Sequence, residues 1–347
     1  MRLSSGTILA ILILLIIPAL PAFAEFPDST DINIIRQTLA YTLGEDYGRA
    51  QQTIDQLAHK YPEHPCATFF SAAALLAEMT DREHFDNDKL FHDLIKQTIS
   101  RADKLRDENR QSAWAYYFMG MANLYQALQD TRKGKKFTVL KYGTRGKNLL
   151  EKTLDLDSTL YDANFGLGSY HYWGSVKTRG FEWLPLVGDN SDRGLALLKL
   201  AVDSSLFTAD PSRSALARAL YNERQYDSAQ ALIQELIDKY PQGKSFLWVR
   251  AEGNFINEYY DRALEDYGFL KTEISDGNPP NNYNLLQIYY QRILCLYKLE
   301  NYQRALIEIE QALNLPLDED VCKRHKNTLK EIEKIKDDIE KTGQEKK

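Results

Sequence analysis

The sequence of 347 residues has few cysteines, no strong excess of either charge and only one long apolar run. Its three cysteines, Cys66, Cys295 and Cys322, form no disulfide framework and leave at least one thiol unpaired. With 43 basic and 49 acidic residues, the chain carries a formal net charge of −6 and lacks the basic excess that is typical of nucleic-acid-binding proteins. We therefore expect neither a disulfide-stabilised domain nor a nucleic-acid partner.

The sequence also lacks the common motifs of catalytic and cofactor sites. It contains no His-Glu-x-x-His zinc helix and no Gly-x-Ser-x-Gly nucleophile elbow. Gly146-Lys147 is followed by Asn148 and does not complete a P-loop. The segment Gly166-Leu167-Gly168 follows no predicted strand, so we interpret its glycines as helix-packing residues. The sequence predicts no enzyme, no catalytic residue and no cofactor.

One histidine spacing resembles a metal site. His84, Asp88 and His92 recur every four residues and would share one face of a helix, where they could bind zinc or copper. Because the segment is polar throughout, a solvated helix face is the favoured interpretation. Metal binding is a remote alternative, and no residue is assigned as a ligand. His171, which lies between two tyrosines, is interpreted as a packed core histidine.

The one long apolar run lies at the N terminus and predicts export. Residues 1–24 contain a positive charge at Arg2, an apolar core over residues 8–17, Pro18, and Ala22-Phe23-Ala24 before Glu25. This order is typical of a secretory signal peptide that is cleaved after Ala24. The apolar core is shorter than the roughly 20 residues that a membrane-spanning helix needs, so an uncleaved anchor is the less favoured alternative. We expect an exported, periplasmic protein, although the signal alone leaves a eukaryotic secretory route open.

Beyond the signal, a Tyr-x-x-Ala quartet recurs along the chain. The quartets that begin at Tyr226 and Tyr260 are 34 residues apart, and others begin at Tyr47 and Tyr302. A small residue is needed wherever two helix axes approach within about 8 to 10 Å. Lys-Tyr-Pro occurs at residues 60–62 and again at 239–241, and proline there ends a helix. These patterns predict an array of helix pairs.

The quartets resemble the junction between the two helices of a tetratricopeptide repeat (TPR). The resemblance implies an all-α, right-handed superhelical solenoid of about seven helix pairs. Residues 318–341, which carry spaced apolar residues among many charges, are predicted to form a C-terminal capping helix, and 342–347 a frayed tail. The predicted units of the array 25–317 are 31–64, 65–108, 112–158, 160–208, 209–242, 243–284 and 285–317.

Units two, three and four carry about 11 to 14 extra residues between their helices, and these insertions should lie side by side on one edge. They fall at residues 80–89, 131–144 and 176–191. The favoured interpretation is that both helices are longer; the alternative is a functional edge. That edge would combine basic and aromatic residues and could contact an anionic membrane surface or an acidic partner. Its predicted residues are Lys133, Lys135, Lys136, Lys141 and Trp183.

The resemblance also implies a concave groove that is lined by the first helix of each unit. Aromatic side chains with a polar tip suit protein binding because they bury a large area at low entropic cost. About half of them should instead serve core packing. Arg218 and Asn222 could form part of a carboxylate clamp, but no second basic partner is evident. The predicted groove residues are Trp114, Tyr117, Tyr125, Tyr172, Trp173, Arg218, Tyr221, Asn222, Trp248, Glu252, Tyr290 and Tyr297.

From these patterns we expect a non-catalytic scaffold or adaptor that binds a protein or peptide partner in the cell envelope or periplasm. A membrane- or lipid-associated accessory protein, acting through the basic and aromatic insertions, is the alternative.

Overall fold

The computed structural model of the protein describes residues 26–178, 189–277 and 281–345. The predicted signal peptide and the predicted edge residue Trp183 lie outside the described residues. Within these ranges the chain forms α helices and no strand, which confirms the all-α prediction. The helices are α1 Ser29–Leu43, α2 Tyr47–Lys60, α3 Pro65–Arg82, α4 Asp88–Glu108, α5 Ala113–Arg132, α6 Lys136–Leu156, α7 Ala163–Thr178, α8 Ser191–Ser204, α9 Ala209–Asn222, α10 Tyr226–Lys239, α11 Lys244–Ile256, α12 Tyr260–Ser275, α13 Asn282–Lys298, α14 Tyr302–Leu313, α15 Glu319–Arg324 and α16 Lys326–Glu345.

Helices α1 to α14 form seven consecutive pairs in the described part of the chain, and each pair is here called a unit, with a helix A and a helix B. The tyrosine of each Tyr-x-x-Ala quartet is the first residue of a helix B, and the alanine lies one turn later. The four alanines are fully buried because helix A crosses helix B there. They are Ala50, Ala229, Ala263 and Ala305.

The two Lys-Tyr-Pro segments do more than end a helix. Helix α2 ends at Lys60, and the Lys60 ammonium and the Tyr61 hydroxyl both donate to Asp31 at the start of α1, at 2.8 and 2.6 Å. In unit five, Lys239 and Tyr240 donate to Asp210 at 2.6 Å each. The end of helix B is thereby tied to the start of helix A in the same unit.

The predicted insertion of unit three is mostly helix, and half of that in unit two is helix. Helices α3 and α4 have 18 and 21 residues and α5 and α6 have 20 and 21, against 15 and 14 in unit one. Only three residues, 133–135, connect α5 to α6, so most of the predicted insertion 131–144 is not a loop. In unit four, residues 179–188 lie outside the described part of the chain.

Helices α5 and α6 of unit three cross closely because Gly120 and Gly146 face each other at the crossing. A Cβ atom on Gly120 would lie 2.7 Å from the Leu150 side chain, and one on Gly146 would lie 2.9 Å from the Gly120 carbonyl oxygen. A larger residue at Gly146 would press on the backbone of α5, and one at Gly120 would displace the Leu150 side chain.

The C-terminal cap consists of two helices rather than the predicted one. Helix α15 ends at Arg324, and the buried ring of His325 packs at 4.1 Å from the Tyr283 ring before α16 begins. Ile332, Ile335 and Ile339 of α16 are buried against α13 and α14, as an end cap requires. The predicted tail is also shorter, because α16 continues to Glu345.

Candidate functional site

Part of the predicted groove, around Trp114 and Tyr117, is occupied by another part of the same chain. Phe207, which directly precedes unit five, is buried with its ring 5.8 to 6.2 Å from the rings of Phe70, Trp114 and Tyr117. Buried Asp162 accepts hydrogen bonds from the backbone N–H groups of residues 206, 207 and 208 at 2.8 to 3.1 Å. Because these bonds fix the segment, the Phe207 ring covers the part of the predicted groove formed by Phe70, Trp114 and Tyr117.

Three of the predicted groove tyrosines are buried, in keeping with a packing role for part of the set. Tyr117, Tyr172 and Tyr221 are at most 1% exposed. The Tyr172 hydroxyl lies 3.0 Å from the Ala219 carbonyl oxygen and accepts from the Asn222 amide at 2.8 Å, so Asn222 is used inside the array. Burial removes these tyrosines from any partner surface in this conformation, and we correct their assignment to helix packing.

The other predicted groove residues are partly accessible. Arg218 is exposed and pairs with Glu252 of the next unit at 3.0 Å. The pairing places a carboxylate beside Arg218, where a carboxylate clamp would need a second basic residue. The half-buried aromatic residues pack on neighbouring helices, and their role in partner binding stays a prediction. They are Trp114, Tyr125, Trp173, Trp248, Tyr290 and Tyr297.

The superhelix closes on itself at a contact that we call the first seam. The end of α1 and the turn that follows it, residues 43–46, pack on the start of α11, 199 or more residues later. The Lys244 ammonium donates to the Glu45 carboxylate, and the Ser245 N–H donates to the same carboxylate at 3.2 Å. Gly243 is required for space, since a Cβ there would lie 2.5 Å from the Leu43 carbonyl oxygen.

The first seam is electrostatically acidic. The Glu45 side chain is 8% exposed, and Asp81 also lies 3.6 Å from Lys244. Burial, reinforced by the nearby charge of Asp81, raises the pKa of Glu45 despite its contact with Lys244. Burial opposes the charge on Lys244, but the two carboxylates outweigh it and raise the pKa of this ammonium. The Lys244 ammonium therefore forms ion pairs with two largely buried carboxylates, those of Glu45 and Asp81.

A second seam joins unit two to unit seven and the cap. The amides of Asn281 and Asn284 donate to the carbonyl oxygens of Arg82 and Asp81, both at 2.8 Å. Arg324 of α15 donates to the Glu83 carboxylate. The guanidinium groups of Arg132 and Arg324 both approach the Phe85 ring, at 5.0 and 4.8 Å from its centroid. Unit one thus contacts unit six and unit two contacts unit seven, so one superhelical coil spans five units.

The lysines of the predicted edge divide into two groups. Lys133 pairs with Asp88, and Lys135 lies 3.6 Å from the buried carboxylate of Asp130, so both serve the packing of neighbouring turns. Lys136 and Lys141 are exposed on α6. The segment with Trp183 lies outside the described residues.

Helix α6 presents an exposed apolar and basic surface, which we call the α6 face. Phe137 is 92% exposed and Leu140 is 68% exposed, and the face continues over Tyr116 of α5. The opposite face of α6, with Gly143, Gly146 and Leu150, is buried. Exposed bases border the apolar residues. They are Lys136, Lys141, Arg145 and Lys152.

Phe137 and Leu140 are absent from the predicted edge residues, because that set rests on basic charge and on Trp183 and not on helical periodicity within residues 131–144. Their spacing with Thr144 and Asn148 matches one side of a helix, and that periodicity was the available signal. The seam residues had no such signal, since Glu45 and Lys244 are 199 positions apart.

The histidine spacing does not build the metal site considered as an alternative. His84 lies in the turn before α4, next to Asp86 at 3.2 Å, and not on the helix that carries Asp88 and His92. Asp88 instead accepts from Gln129 at 2.8 Å and pairs with Lys133. Within the described ranges, no group of three or more His, Cys, Asp or Glu residues is placed to hold a metal ion.

His171 is buried, as the sequence analysis interpreted it. None of the helices in the described part of the chain combines the length and apolar character that crossing a membrane requires.

No family model matches the chain, and no curated protein matches it. It is similar to solved structures at low identity. A thermophilic TPR protein from Thermus thermophilus aligns with TM-score 0.39 and 16% identity over 65% of this chain and 97% of that one. A tetratricopeptide repeat protein from Parabacteroides merdae gives 0.39 and 14% over 86% and 97%. Yeast Tom70 gives 0.42 and 14% over 80% and 60%.

The helix pairing, the buried small residues and the capped end define the fold without help from these alignments. The chain is an all-α helical-repeat protein of TPR-like architecture.

Proposed function

We propose that the protein is an exported, non-catalytic scaffold that binds a protein partner through the α6 face. In helical-repeat proteins most buried contacts join neighbouring units, and such proteins characteristically bind through their extended surfaces. Here part of the concave surface is filled by Phe207, so an outer surface is the better candidate. Export to the periplasm or cell envelope is proposed from the signal-like order of residues 1–24.

The observation that carries the proposal is the exposure of Phe137. A phenylalanine that is 92% exposed, one turn from a leucine that is 68% exposed, gains free energy when a partner covers both. The bordering lysines and arginine favour a partner with acidic side chains. An amphipathic helix with an apolar stripe and acidic flanks has this combination.

The test is crosslinking capture from the native envelope with the double variant Phe137→Ser/Leu140→Ser. We expect the variant to lose the captured partner, and we expect the partner's crosslinked segment to be acidic and amphipathic. The matched control is Leu128→Ser, because Leu128 of α5 is 51% exposed but does not belong to the α6 face. Equal capture by the double variant and the wild-type protein would exclude the α6 face.

A second candidate is peripheral binding to an anionic membrane through the same face, favoured by its exposed phenylalanine among lysines. Flotation with vesicles of phosphatidylglycerol and, separately, of phosphatidylcholine distinguishes it. Binding only to the anionic vesicles, and its loss in Lys136→Gln/Lys141→Gln, would favour the membrane over a protein partner.

The proposed export is tested by a separate measurement. If residues 1–24 are a cleaved signal, the mature protein from its native host begins at Glu25. Intact mass of the purified native protein decides between this and an uncleaved N terminus.

A further inference from the structure

Helix α12 of unit six carries an acidic surface with one large apolar residue at its centre. Phe269 is 55% exposed. Exposed carboxylates lie four residues before and after it, eight residues before it and seven after it. Steps of four, seven and eight residues return to the same side of an α helix. These carboxylates, which together with Phe269 we call the α12 face, belong to Asp261, Glu265, Glu273 and Asp276.

The α12 face has no counter-ion in the described part of the chain, where none of its four carboxylates forms an ion pair. The two bases of α12 are engaged elsewhere. Arg262 donates to the Tyr226 hydroxyl at 3.0 Å, and Lys271 pairs with Glu308 at 3.4 Å. Carboxylates on one side of a helix repel one another, so a basic surface that covers them lowers the free energy.

The α6 face has the opposite charge. Residues 136–150 contain four bases and no acidic residue. The bases that border Phe137 and Leu140 form no ion pair within the described ranges. Both apolar side chains line an open groove that also includes Tyr116. Each face thus combines exposed apolar residues with unpaired charges of one sign, and the two signs are opposite.

The two faces also match in length. At 1.5 Å per residue, the α12 face extends about 23 Å from Asp261 to Asp276, and the α6 face extends about 24 Å from Lys136 to Lys152. Helix α6 packs on α5 and α7, whereas α12 packs on α11 and α13. The faces therefore belong to separate units, and each stays exposed within one chain.

We infer that the α12 face of one copy of this protein docks on the α6 face of a second copy. The Phe269 ring covers Phe137 and Leu140, and the carboxylates beside it pair with the surrounding bases. This inference rests on the proposed function, in which the α6 face takes a segment with an apolar stripe and acidic flanks, and it identifies that segment.

Because the two faces differ, the contact is heterologous and adds copies head to tail. A dimer leaves one face of each kind free for further copies. One helix on another buries less surface than the roughly 1,600 Å² of a standard interface, so we expect a dissociation constant in the range of about 10 to 500 μM.

The test is sedimentation equilibrium of the mature protein at about 5 to 500 μM. The apparent mass should rise with concentration, and raising NaCl from about 50 to 500 mM should weaken the association at least about fivefold, because salt screens exposed charges. Phe137→Ser/Leu140→Ser and Phe269→Ser should each be monomeric. An equal mixture of these two variants should form dimers and nothing larger, because it offers one intact face of each kind.

The matched control is Leu128→Ser, which changes an exposed leucine outside both faces and should assemble like the wild-type protein. Circular dichroism establishes that the variants are folded. A wild-type protein that stays monomeric at about 500 μM, assembly of either variant alone, or no dimer in their mixture would each overturn the inference.

Capture from the native envelope separates this outcome from the proposed function. If the α6 face binds a second copy, the crosslinked partner should be the chain itself and should be lost in Phe269→Ser. A different partner that is lost in Phe137→Ser/Leu140→Ser but retained by Phe269→Ser would overturn self-association and leave the proposed function standing.

Discussion

The turns between helix A and helix B of units one and six each contain a left-handed glutamate, Glu45 with φ of 62° and Glu258 with φ of 68°, yet their surroundings differ. Glu45 is nearly enclosed by the start of α11, whereas Glu258 is mostly exposed. The difference arises because the coil closes after five units: unit one finds unit six beside it, and unit six finds no later unit in the described part of the chain. A repeated local structure is thus buried in one unit and exposed in another, according to its place in the superhelix.

Charge reversal should separate the two turns most strongly. Glu45→Lys places a second cation beside Lys244 in a desolvated site, and we expect the free energy of unfolding to fall by about 2 to 4 kcal/mol. Glu258→Lys should change it by less than about 0.5 kcal/mol, because the site is exposed. Urea denaturation measures both. Equal losses would mean that the first seam contributes no more than an exposed ion pair.

The next largest loss of stability is expected when a side chain fills the space that Gly243 leaves at the first seam. Gly243→Val forces a side chain against the Leu43 carbonyl oxygen and should cost about 1 to 3 kcal/mol. The control is Gly48→Val in α2, where a Cβ would meet only the Asp46 carboxylate, at 3.9 Å. Small-angle scattering should show a larger radius of gyration for Gly243→Val alone. An unchanged radius with unchanged stability would contradict the seam.

The second seam should respond more mildly. Arg324→Ala removes the ion pair with Glu83 and the contact with Phe85, and we expect a loss of about 1 to 2 kcal/mol. Hydrogen exchange should quicken in the turn of residues 83–87. Lys334→Ala, on an exposed part of α16, is the matched control and should leave that exchange as in the wild type.

The smallest effect on stability is expected when glycine replaces a left-handed glutamate. Its sign should differ between unit one and units six and seven. Glu300, two residues before α14, has the same left-handed backbone, with φ of 55°. Glycine adopts this conformation freely, so Glu258→Gly and Glu300→Gly should each raise the free energy of unfolding by about 0.5 to 1 kcal/mol. Glu45→Gly should lower it, because the lost contacts with Lys244 and Ser245 exceed the relief. Thermal melting under one set of conditions ranks the three variants, and a gain at Glu45 would show that its contacts are worth less than the backbone strain.

The sequence was informative wherever the interactions are local. The Tyr-x-x-Ala quartets located the first turn of four B helices, and the apolar spacing of Ile332, Ile335 and Ile339 located the cap. It was less informative about the cap's break at His325, which depends on a contact with the ring of Tyr283. It also assigned Tyr117 to a groove surface, because helical periodicity gives the side of a helix but not what covers that side.

The amino-acid sequence by itself determined the helix pairs, since small residues at crossings and prolines after helix ends act within a few turns of backbone. Only the tertiary structure decided that Phe207 fills part of the concave surface and that unit one meets unit six. The reason is that small rotations between successive units add up, and residues almost 200 positions apart meet only after that sum is complete.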